Sequence, residues 1–249
     1  MRNMIILLIA AAALAFPVSA EMSASEILKK IDLQESFRSN YAVMKQIITT
    51  SGGSKRTLEM KAWAVNNGDR QLSEYLSPPD VRGQKILMTD DGDNIWMYNA
   101  ETRRTRKLGS SMKSKKVMGS DFTYEDQNMG NISTKYSAVL KGTENFGGAE
   151  CYVLELKPLP NGPSYSKIVI WVGKTDFITR KIDFYEKGGT SPFKRLVMED
   201  IRKAGSKNVP FKMTMRNLQE NTETVTIITE IKYDINIPDS YFKSSALGR

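Results

Sequence analysis

The chain of 249 residues carries 36 Lys and Arg against 28 Asp and Glu, a formal net charge of +8, with one cysteine and no histidine. The lack of histidine excludes Ser-His-Asp and Cys-His nucleophile systems and removes the commonest zinc ligand. The sequence also lacks a phosphate loop ending in Gly-Lys-Ser/Thr and a G-x-G-x-x-G fingerprint. The single cysteine, Cys151, forms no intramolecular disulfide, and we predict that it is a small buried hydrophobe.

Residues 1–20 have the pattern of a secretory signal peptide. Arg2 precedes an apolar run from Met4 to Phe16, and Val18-Ser19-Ala20 supplies the small residues of a cleavage site. The run is shorter than the roughly 20 apolar residues of a membrane span, although an uncleaved anchor is the alternative. We predict cleavage after Ala20, a single soluble domain over residues 21–249, and a periplasmic location because the exported chain has no disulfide.

One helix and a long series of strands follow. Ser23 or Ser25 is suited to cap a helix that extends to about Arg38, and from Tyr41 the apolar period changes to two. Short loops rich in turn residues favour an antiparallel meander, with short helices near Ser120–Asn128 and Asp239–Leu247. The predicted strands are Tyr41–Thr50, Lys55–Asn66, Arg70–Ser77, Gln84–Thr89, Asn94–Asn99, Thr105–Leu108, Lys135–Lys141, Ala149–Lys157, Tyr165–Val172, Ile178–Glu186, Lys194–Ile201, Pro210–Asn217 and Glu223–Tyr233.

Several of these strands are apolar on both faces. Ile95 and Met97 oppose Trp96 and Tyr98, and Ala62 and Ala64 oppose Trp63 and Val65. Both faces of such strands need cover, yet the predicted helices offer little material for a sheet of about a dozen strands. A curved sheet with a partly unfilled apolar interior is therefore expected, and such a space suits a lipid chain.

The segment from Trp96 to Asp126 combines aromatic and basic residues. From residue 103 to residue 116 it has seven basic residues and no acidic one: Arg103, Arg104, Arg106, Lys107, Lys113, Lys115 and Lys116. The segment could attract anionic headgroups, dock an acidic protein partner, or remain a solvated loop. The flanking Trp96, Tyr98, Phe122 and Tyr124 could form the mouth of a cavity or pack in the ordinary way.

Two acidic clusters are candidate sites. Asp90-Asp91-Gly92-Asp93 lies between two strands and predicts a hairpin turn, because it lacks the spacing of a calcium loop. Asp121, Glu125 and Asp126 could bind a cation or act as an acid/base pair, but they are more suited to cap a turn or to pair with the basic loop. A nucleic-acid binder, raised by the basic composition, is opposed by the export signal.

The order of several motifs resembles the bacterial outer-membrane lipoprotein-sorting (LolA-like) family, in the branch associated with exporters of the resistance-nodulation-division (RND) type. The element Met118-Gly119-Ser120-Asp121-Phe122-Thr123-Tyr124-Glu125-Asp126 is the most specific. The other matching motifs are Pro79-Asp80-Val81-Arg82-Gly83, Ile95-Trp96-Met97-Tyr98, Arg103-Arg104-Thr105-Arg106-Lys107-Leu108, Tyr165-Ser166-Lys167 with Trp171-Val172, and Ile237-Pro238-Asp239-Ser240-Tyr241-Phe242.

The resemblance implies a mainly β fold, an incomplete antiparallel β-barrel of about eleven strands with helices covering its concave face. It implies a periplasmic carrier that binds lipid or lipoprotein acyl chains and passes them towards the outer membrane, with an inner-membrane RND-type transporter or an outer-membrane acceptor as the expected protein partner. The alternatives are an accessory protein of an RND-type lipid exporter or, third, a carboxylate-based envelope hydrolase. We expect a monomer with no catalytic residue, cofactor, metal or nucleic-acid partner. The predicted lipid- or partner-binding residues are Trp96, Tyr98, Arg103, Arg104, Arg106, Lys107, Phe122 and Tyr124, and the predicted structural residues are Gly119, Ser120, Asp121 and Asp126.

Overall fold

A computed structural model describes residues 22–160 and 162–248, so the predicted signal peptide lies outside the described residues. These residues form two α-helices and thirteen strands, with a few single 3₁₀ turns. The helices are α1 (Ala24–Glu35) and α2 (Ile132–Lys135). The strands are β1 (Ser39–Thr49), β2 (Lys55–Val65), β3 (Arg70–Ser77), β4 (Lys85–Thr89), β5 (Asn94–Asn99), β6 (Arg104–Leu108), β7 (Tyr136–Phe146), β8 (Ala149–Pro158), β9 (Lys167–Gly173), β10 (Thr179–Tyr185), β11 (Lys194–Ala204), β12 (Lys207–Asn217) and β13 (Thr222–Tyr233).

Helix α1 begins with a capping box. The Glu26 N–H donates to Ser23 Oγ at 3.3 Å, and the Ser23 N–H donates to the Glu26 carboxylate at 2.8 Å. This arrangement satisfies two amides that the first helical turn leaves without partners. The helix ends at Glu35 because Ser36 is extended, so the predicted end at Arg38 was three residues too late.

The thirteen strands form one open antiparallel sheet. Its order is β6-β5-β4-β3-β2-β1-β13-β12-β11-β10-β9-β8-β7, so two meanders meet where the first strand pairs with the last. The open sheet confirms the predicted fold class. The strand count of thirteen agrees with the alternation of the sequence and exceeds the eleven or so that the resemblance implied.

The connection from β6 to β7, residues 109–135, crosses one face of the sheet, and we call it the crossover segment. Val117 and Tyr124 of this segment pack with Leu58 and Tyr75 of the sheet, while Asp121 bonds to β13. Only Asp126–Asn128 forms a 3₁₀ turn in the region where a short helix near Ser120–Asn128 was predicted. We call the face that the crossover segment and α1 cover the inner face.

Two apolar cores fill much of the inner face. In the first, Ile27, Leu28 and Ile31 of α1 pack on strands β8 to β12 through residues such as Ile168 and Phe184. The second core joins the crossover segment to strands β1 to β5. The two cores are separate clusters, and β13, which lies between β1 and β12, contributes no residue to either cluster.

The outer face is covered near its β2–β5 side by the C-terminal residues. Two 3₁₀ turns, Asp239–Phe242 and Ser244–Ala246, occupy the region where a short helix was predicted. Phe242 and Leu247 pack on Leu72, Leu87 and Tyr98, which point away from the inner face. In the part of the chain described here, no helix combines the length and apolar character that a membrane crossing requires.

Candidate functional site

A cavity of about 340 Å³ lies on the inner face between the two cores. Its walls are the end of α1, the crossover residues around 126–131, and the strands β1, β2, β3 and β13. This volume is at the lower end of the roughly 300–1,000 Å³ that is usual for small-molecule pockets. We call it the central cavity.

Small side chains form the floor of the central cavity. Ala42 of β1 pairs with Ala62 of β2, which pairs with Ser73 of β3, and Ala64 lies two residues further along β2. Elsewhere on the same face of these strands, larger side chains such as Met60 reach the crossover segment. The short floor residues cannot span that distance, so a space remains above them.

Apolar and amide side chains complete the lining. Met44, Met129, Ile228 and Ile231 line the cavity together with Asn40, Asn67, Gln71 and Asn131. Asn67 accepts a hydrogen bond from the Phe37 N–H at 2.7 Å and donates to Asn131 Oδ1 at 3.4 Å. These bonds connect the end of α1, the β2–β3 turn and the crossover segment, and they fix the rim of the cavity.

Two carboxylates on the last turns of α1 also line the cavity. Asp32 Oδ2 accepts the Ser133 N–H at 3.1 Å, whereas Asp32 Oδ1 is buried and has no hydrogen-bond partner among the described residues. Loss of water around the Glu35 carboxylate, together with the negative charge of the neighbouring Asp32, raises the pKa of Glu35 to about 7. Glu35 is nevertheless exposed, so water screens the charge of Asp32 and reduces the contribution of this pKa shift to the free energy of unfolding.

Asp126 lines the cavity and also forms a buried ion pair with Lys194. Its carboxylate accepts from Lys194 Nζ at 2.6 Å and from Tyr165 Oη at 2.6 Å, and Lys194 Nζ also contacts Tyr165 Oη. Burial, together with the charge and hydrogen bond of Asp126, raises the pKa of Tyr165 far above its usual value. The contact between Asp126 and Lys194 holds the crossover segment against β11.

Asp121 attaches the crossover segment to β13. Thr222 and Thr224 donate hydrogen bonds to its carboxylate at 2.5 and 2.8 Å, and Thr224 Oγ1 accepts the Asp121 N–H at 2.9 Å. Lys116 of the basic loop lies 3.3 Å away. Both acidic residues therefore hold the crossover segment on the sheet, and both carboxylates are engaged in hydrogen bonds.

The structure separates the eight residues predicted to bind lipid or partner. Trp96, Tyr98 and Lys107 are on the outer face, where Lys107 lies over the Trp96 ring at 5.7 Å. Tyr124 packs in the second inner core and Phe122 against the first. Arg103 is in the β5–β6 turn, and the exposed Arg104 and Arg106 are on the edge strand β6. The four aromatic residues are thus divided between two faces, and their role in binding stays a prediction.

The four motif residues have structural positions. Gly119 adopts φ +81°, a conformation that favours glycine, and Ser120 Oγ donates to the Val117 carbonyl at 2.8 Å inside the turn. Asp121 and Asp126 make the contacts described above. No group of three or more His, Cys, Asp or Glu side chains in residues 22–160 and 162–248 is arranged to hold a metal ion.

The sequence did not indicate that the carboxylates of α1 and most of the floor residues line a cavity. The available signal was the run of small residues at alternate positions, Ala62 and Ala64, beside the opposing Trp63. Asp32 and Glu35 gave no signal because polar residues at the end of an amphipathic helix are normally solvated. Their position depends on where α1 lies on the sheet, which no local pattern encodes.

A second, larger crevice of about 600 Å³ lies on the outer face beneath the C-terminal residues. Its lining includes the charged side chains of Lys61, Glu74 and Lys85 beside Trp63 and Leu247. An acyl chain there would remove water from charged groups, which is unfavourable. The central cavity also has charged side chains in its lining, but its floor of alanines with Ile228 and Ile231 is apolar, so it is the better site for an apolar ligand.

Comparisons with known proteins agree with the architecture. A family model described as "Uncharacterized protein" matches residues 67–249, while no curated protein matches the chain. A proposed outer membrane lipoprotein-sorting protein domain from Vibrio parahaemolyticus has a similar structure, with a TM-score of 0.83, 24% identity, and coverage of 91% of this chain and 98% of that one.

Two further solved structures share the fold. A DUF1329 family protein from Desulfovibrio piger has a TM-score of 0.82 at 26% identity, covering 90% of this chain and 97% of that chain. A LolA superfamily protein from Nitrosomonas europaea has a TM-score of 0.74 at 22% identity, covering 90% and 98%. These likenesses confirm the fold that the LolA-like resemblance implied. The match over residues 67–249 shows that the chain belongs to the DUF1329 family, and it shares its fold with the LolA superfamily protein from Nitrosomonas europaea.

Proposed function

We propose that the protein is a periplasmic carrier that binds acyl chains of a lipid or lipoprotein in the central cavity and passes them towards the outer membrane. The observation that carries the proposal is the space above Ala42, Ala62 and Ala64 on the inner face. Burial of an acyl chain gains roughly 0.8 kcal/mol for each methylene removed from water. An open rim of amide side chains permits release to a membrane without unfolding the protein.

The cavity is suited to adaptable contacts. Met44 and Met129 line it, and the flexible thioether of methionine can adjust to chains of different shape. Strands β1, β2, β3 and β13 provide a rigid floor, while the crossover segment forms the cover. A carrier needs this combination because it must bind a cargo firmly enough for transfer and still give it up.

The role of accessory protein to an RND-type lipid exporter is the second candidate. It is favoured by the exposed edge of the sheet, where Arg103, Arg104, Arg106 and Lys107 form no ion pair within the described residues. Such a row of cations at an unpaired strand edge can dock an acidic protein surface or an anionic headgroup. A carboxylate-based hydrolase is disfavoured because Asp121 and Asp126 are engaged by threonine, tyrosine and lysine donors.

Filling the cavity tests the carrier function. Ala62→Phe places an aromatic ring above the floor, so we expect it to reduce binding of the neutral fluorescent dye N-phenyl-1-naphthylamine by about tenfold, corresponding to ~1.4 kcal/mol. Dye fluorescence in a titration of the purified protein measures the binding. Ala204→Phe, in the β11–β12 hairpin, makes the same change away from the cavity and serves as the control.

One result would contradict the proposed site, and another would contradict the proposed function. Equal dye affinity of wild type and Ala62→Phe, with both proteins folded by circular dichroism, would place dye binding outside the central cavity. Absence of dye binding by the wild type, together with absence of lipid in mass spectra of protein purified from its native envelope, would refute the carrier function. Recovery of a stoichiometric phospholipid or acylated peptide would identify the cargo.

A further inference from the structure

The charged side chains that line the central cavity are all acidic. Asp32, Glu35 and Asp126 line it, and no lysine or arginine does so among the described residues. This is unexpected in a chain with a net charge of +8. Asp126 is neutralised by Lys194, whereas Asp32 and Glu35 form no ion pair within the part of the chain that the structure describes.

One of these carboxylates has an unused acceptor. Asp32 Oδ1 is buried, and no group in residues 22–160 and 162–248 donates a hydrogen bond to it. A buried oxygen without a donor is unfavourable, because it has lost water and gained nothing in exchange. Since Asp32 lines the cavity, rotation of its carboxylate presents this oxygen to a ligand N–H group at that end, which supplies the missing hydrogen bond.

The apolar floor and the acidic end are parts of one space. The alanines of β1 and β2 and Ile228 of β13 accept a hydrocarbon chain, while Asp32 and Glu35 lie at the α1 end of the same cavity. An anionic head at that end would meet two carboxylates and no cation to balance it. The basic residues able to attract anions, such as Arg104 and Arg106, are on edge strand β6, which contributes no residue to the cavity lining.

We propose that the central cavity selects amphiphiles with a hydrogen-bond-donating amine head over those with an anionic head. Asp32 and Glu35 receive the ammonium group, and the apolar chain lies on the small-residue floor of β1 and β2. This inference rests on the proposed carrier function, because it specifies the chemistry of the molecule that the cavity accepts. Charge-assisted hydrogen bonds of this kind are among the stronger polar contacts in proteins.

A displacement assay with matched ligands tests the inference. Wild-type protein is loaded with N-phenyl-1-naphthylamine, and the dye is displaced by dodecylamine, dodecanol or dodecanoate below their micelle concentrations. We expect dodecylamine to displace the dye at a concentration about tenfold lower than dodecanoate, with dodecanol between them. In the double variant Asp32→Asn with Glu35→Gln, the two charged ligands should differ by no more than about twofold.

A second double variant controls for net charge. Glu199→Gln with Asp200→Asn removes the same two negative charges from exposed positions on β11, outside the cavity, so it should retain the preference for the amine. Dye binding with equal displacement by amine and carboxylate would overturn the inference and leave the carrier function intact. Persistence of the preference in the Asp32/Glu35 variant would also overturn it. Failure of wild type to bind the dye would remove both proposals.

Discussion

At the scale of single residues, Asp126 and Lys194 form the most deeply buried ion pair of the crossover segment among the described residues. Their side chains are 1% and 3% exposed, so removal of one partner leaves the other charged and without solvent. We expect Asp126→Ala to lower the free energy of unfolding by about 3–5 kcal/mol. Urea denaturation followed by circular dichroism measures this loss.

An exposed ion pair gives the comparison for Asp126. Glu199 and Lys212 are 2.9 Å apart, with side chains 47% and 44% exposed, and water screens their attraction. Glu199→Ala should therefore change the free energy of unfolding by no more than about 1 kcal/mol. Losses of similar size in the two variants would mean that the Asp126–Lys194 contact does not hold the crossover segment in solution.

Glu35 should give the protein a distinct pH dependence. It faces Asp32 on α1, Tyr233 on β13 and, in the adjoining crevice, Lys207 on β12. Since its pKa rises from 4.5 to about 7 on folding, the folded chain holds this proton more strongly than the unfolded chain. The stability contributed by the group is complete at low pH and is lost as pH rises through about 7.

Substitution of Glu35 isolates that contribution. Glu35→Gln should reduce the fall in melting temperature between about pH 5 and pH 8, because the titrating group is gone. Differential scanning fluorimetry at the two values provides the measurement, with Glu199→Gln as the exposed comparison. An unchanged fall in the Glu35 variant would show that other groups cause the pH dependence.

At the scale of elements, local patterns predicted the strands well. The period-two pattern and the turn residues between the runs located thirteen strands. Ser23 or Ser25 was predicted to cap α1, and the cap is Ser23. The helix predicted near Ser120–Asn128 did not form. The Asp121 N–H bonds to Thr224 Oγ1 of β13, whereas the side chains of Thr123 and Asp126 accept each other's N–H groups within one turn. Thr224 is 103 residues from Asp121 in the sequence, so no local pattern contains this partner.

The attachment of the crossover segment to β13 can be tested at one side chain. Thr224→Val keeps the shape but removes the hydroxyl that bonds both the carboxylate and the N–H of Asp121. We expect the free energy of unfolding to fall by about 1–3 kcal/mol, since Asp121 Oδ2 then lacks the Thr224 donor and the Asp121 N–H lacks an acceptor. Hydrogen exchange should become faster in residues 117–124, while the amides of β8 to β10 remain protected.

A threonine at the surface of the same strand controls for the substitution. Thr229 is exposed and bonds only the Val43 carbonyl among the described residues, so Thr229→Val should leave exchange in the crossover segment unchanged. Equal exchange in wild type and Thr224→Val would indicate that apolar packing of Val117 and Tyr124 holds the segment without help from Asp121.

At the scale of the whole molecule, strands with two apolar faces correctly indicated that both sides of the sheet require cover. The inner face is filled by α1 and the crossover segment, and Trp96 and Tyr98 pack on the outer face with the C-terminal residues. The sequence could not show which part of the inner face the two cores leave unfilled. The position of the cavity follows from the gap between two cores, which depends on how a helix and a crossing segment divide one face.

The pairing of β1 with β13 has a consequence for when the binding site can exist. Its floor combines residues near the start of the chain, such as Ala42, with Ile228 from the final strand. A nascent polypeptide still emerging from the ribosome therefore has no pocket to offer, however much of its first meander has formed. The last strand must join the first before any cargo can be held. The order of the strands along the chain therefore prevents the protein from binding an apolar ligand too early.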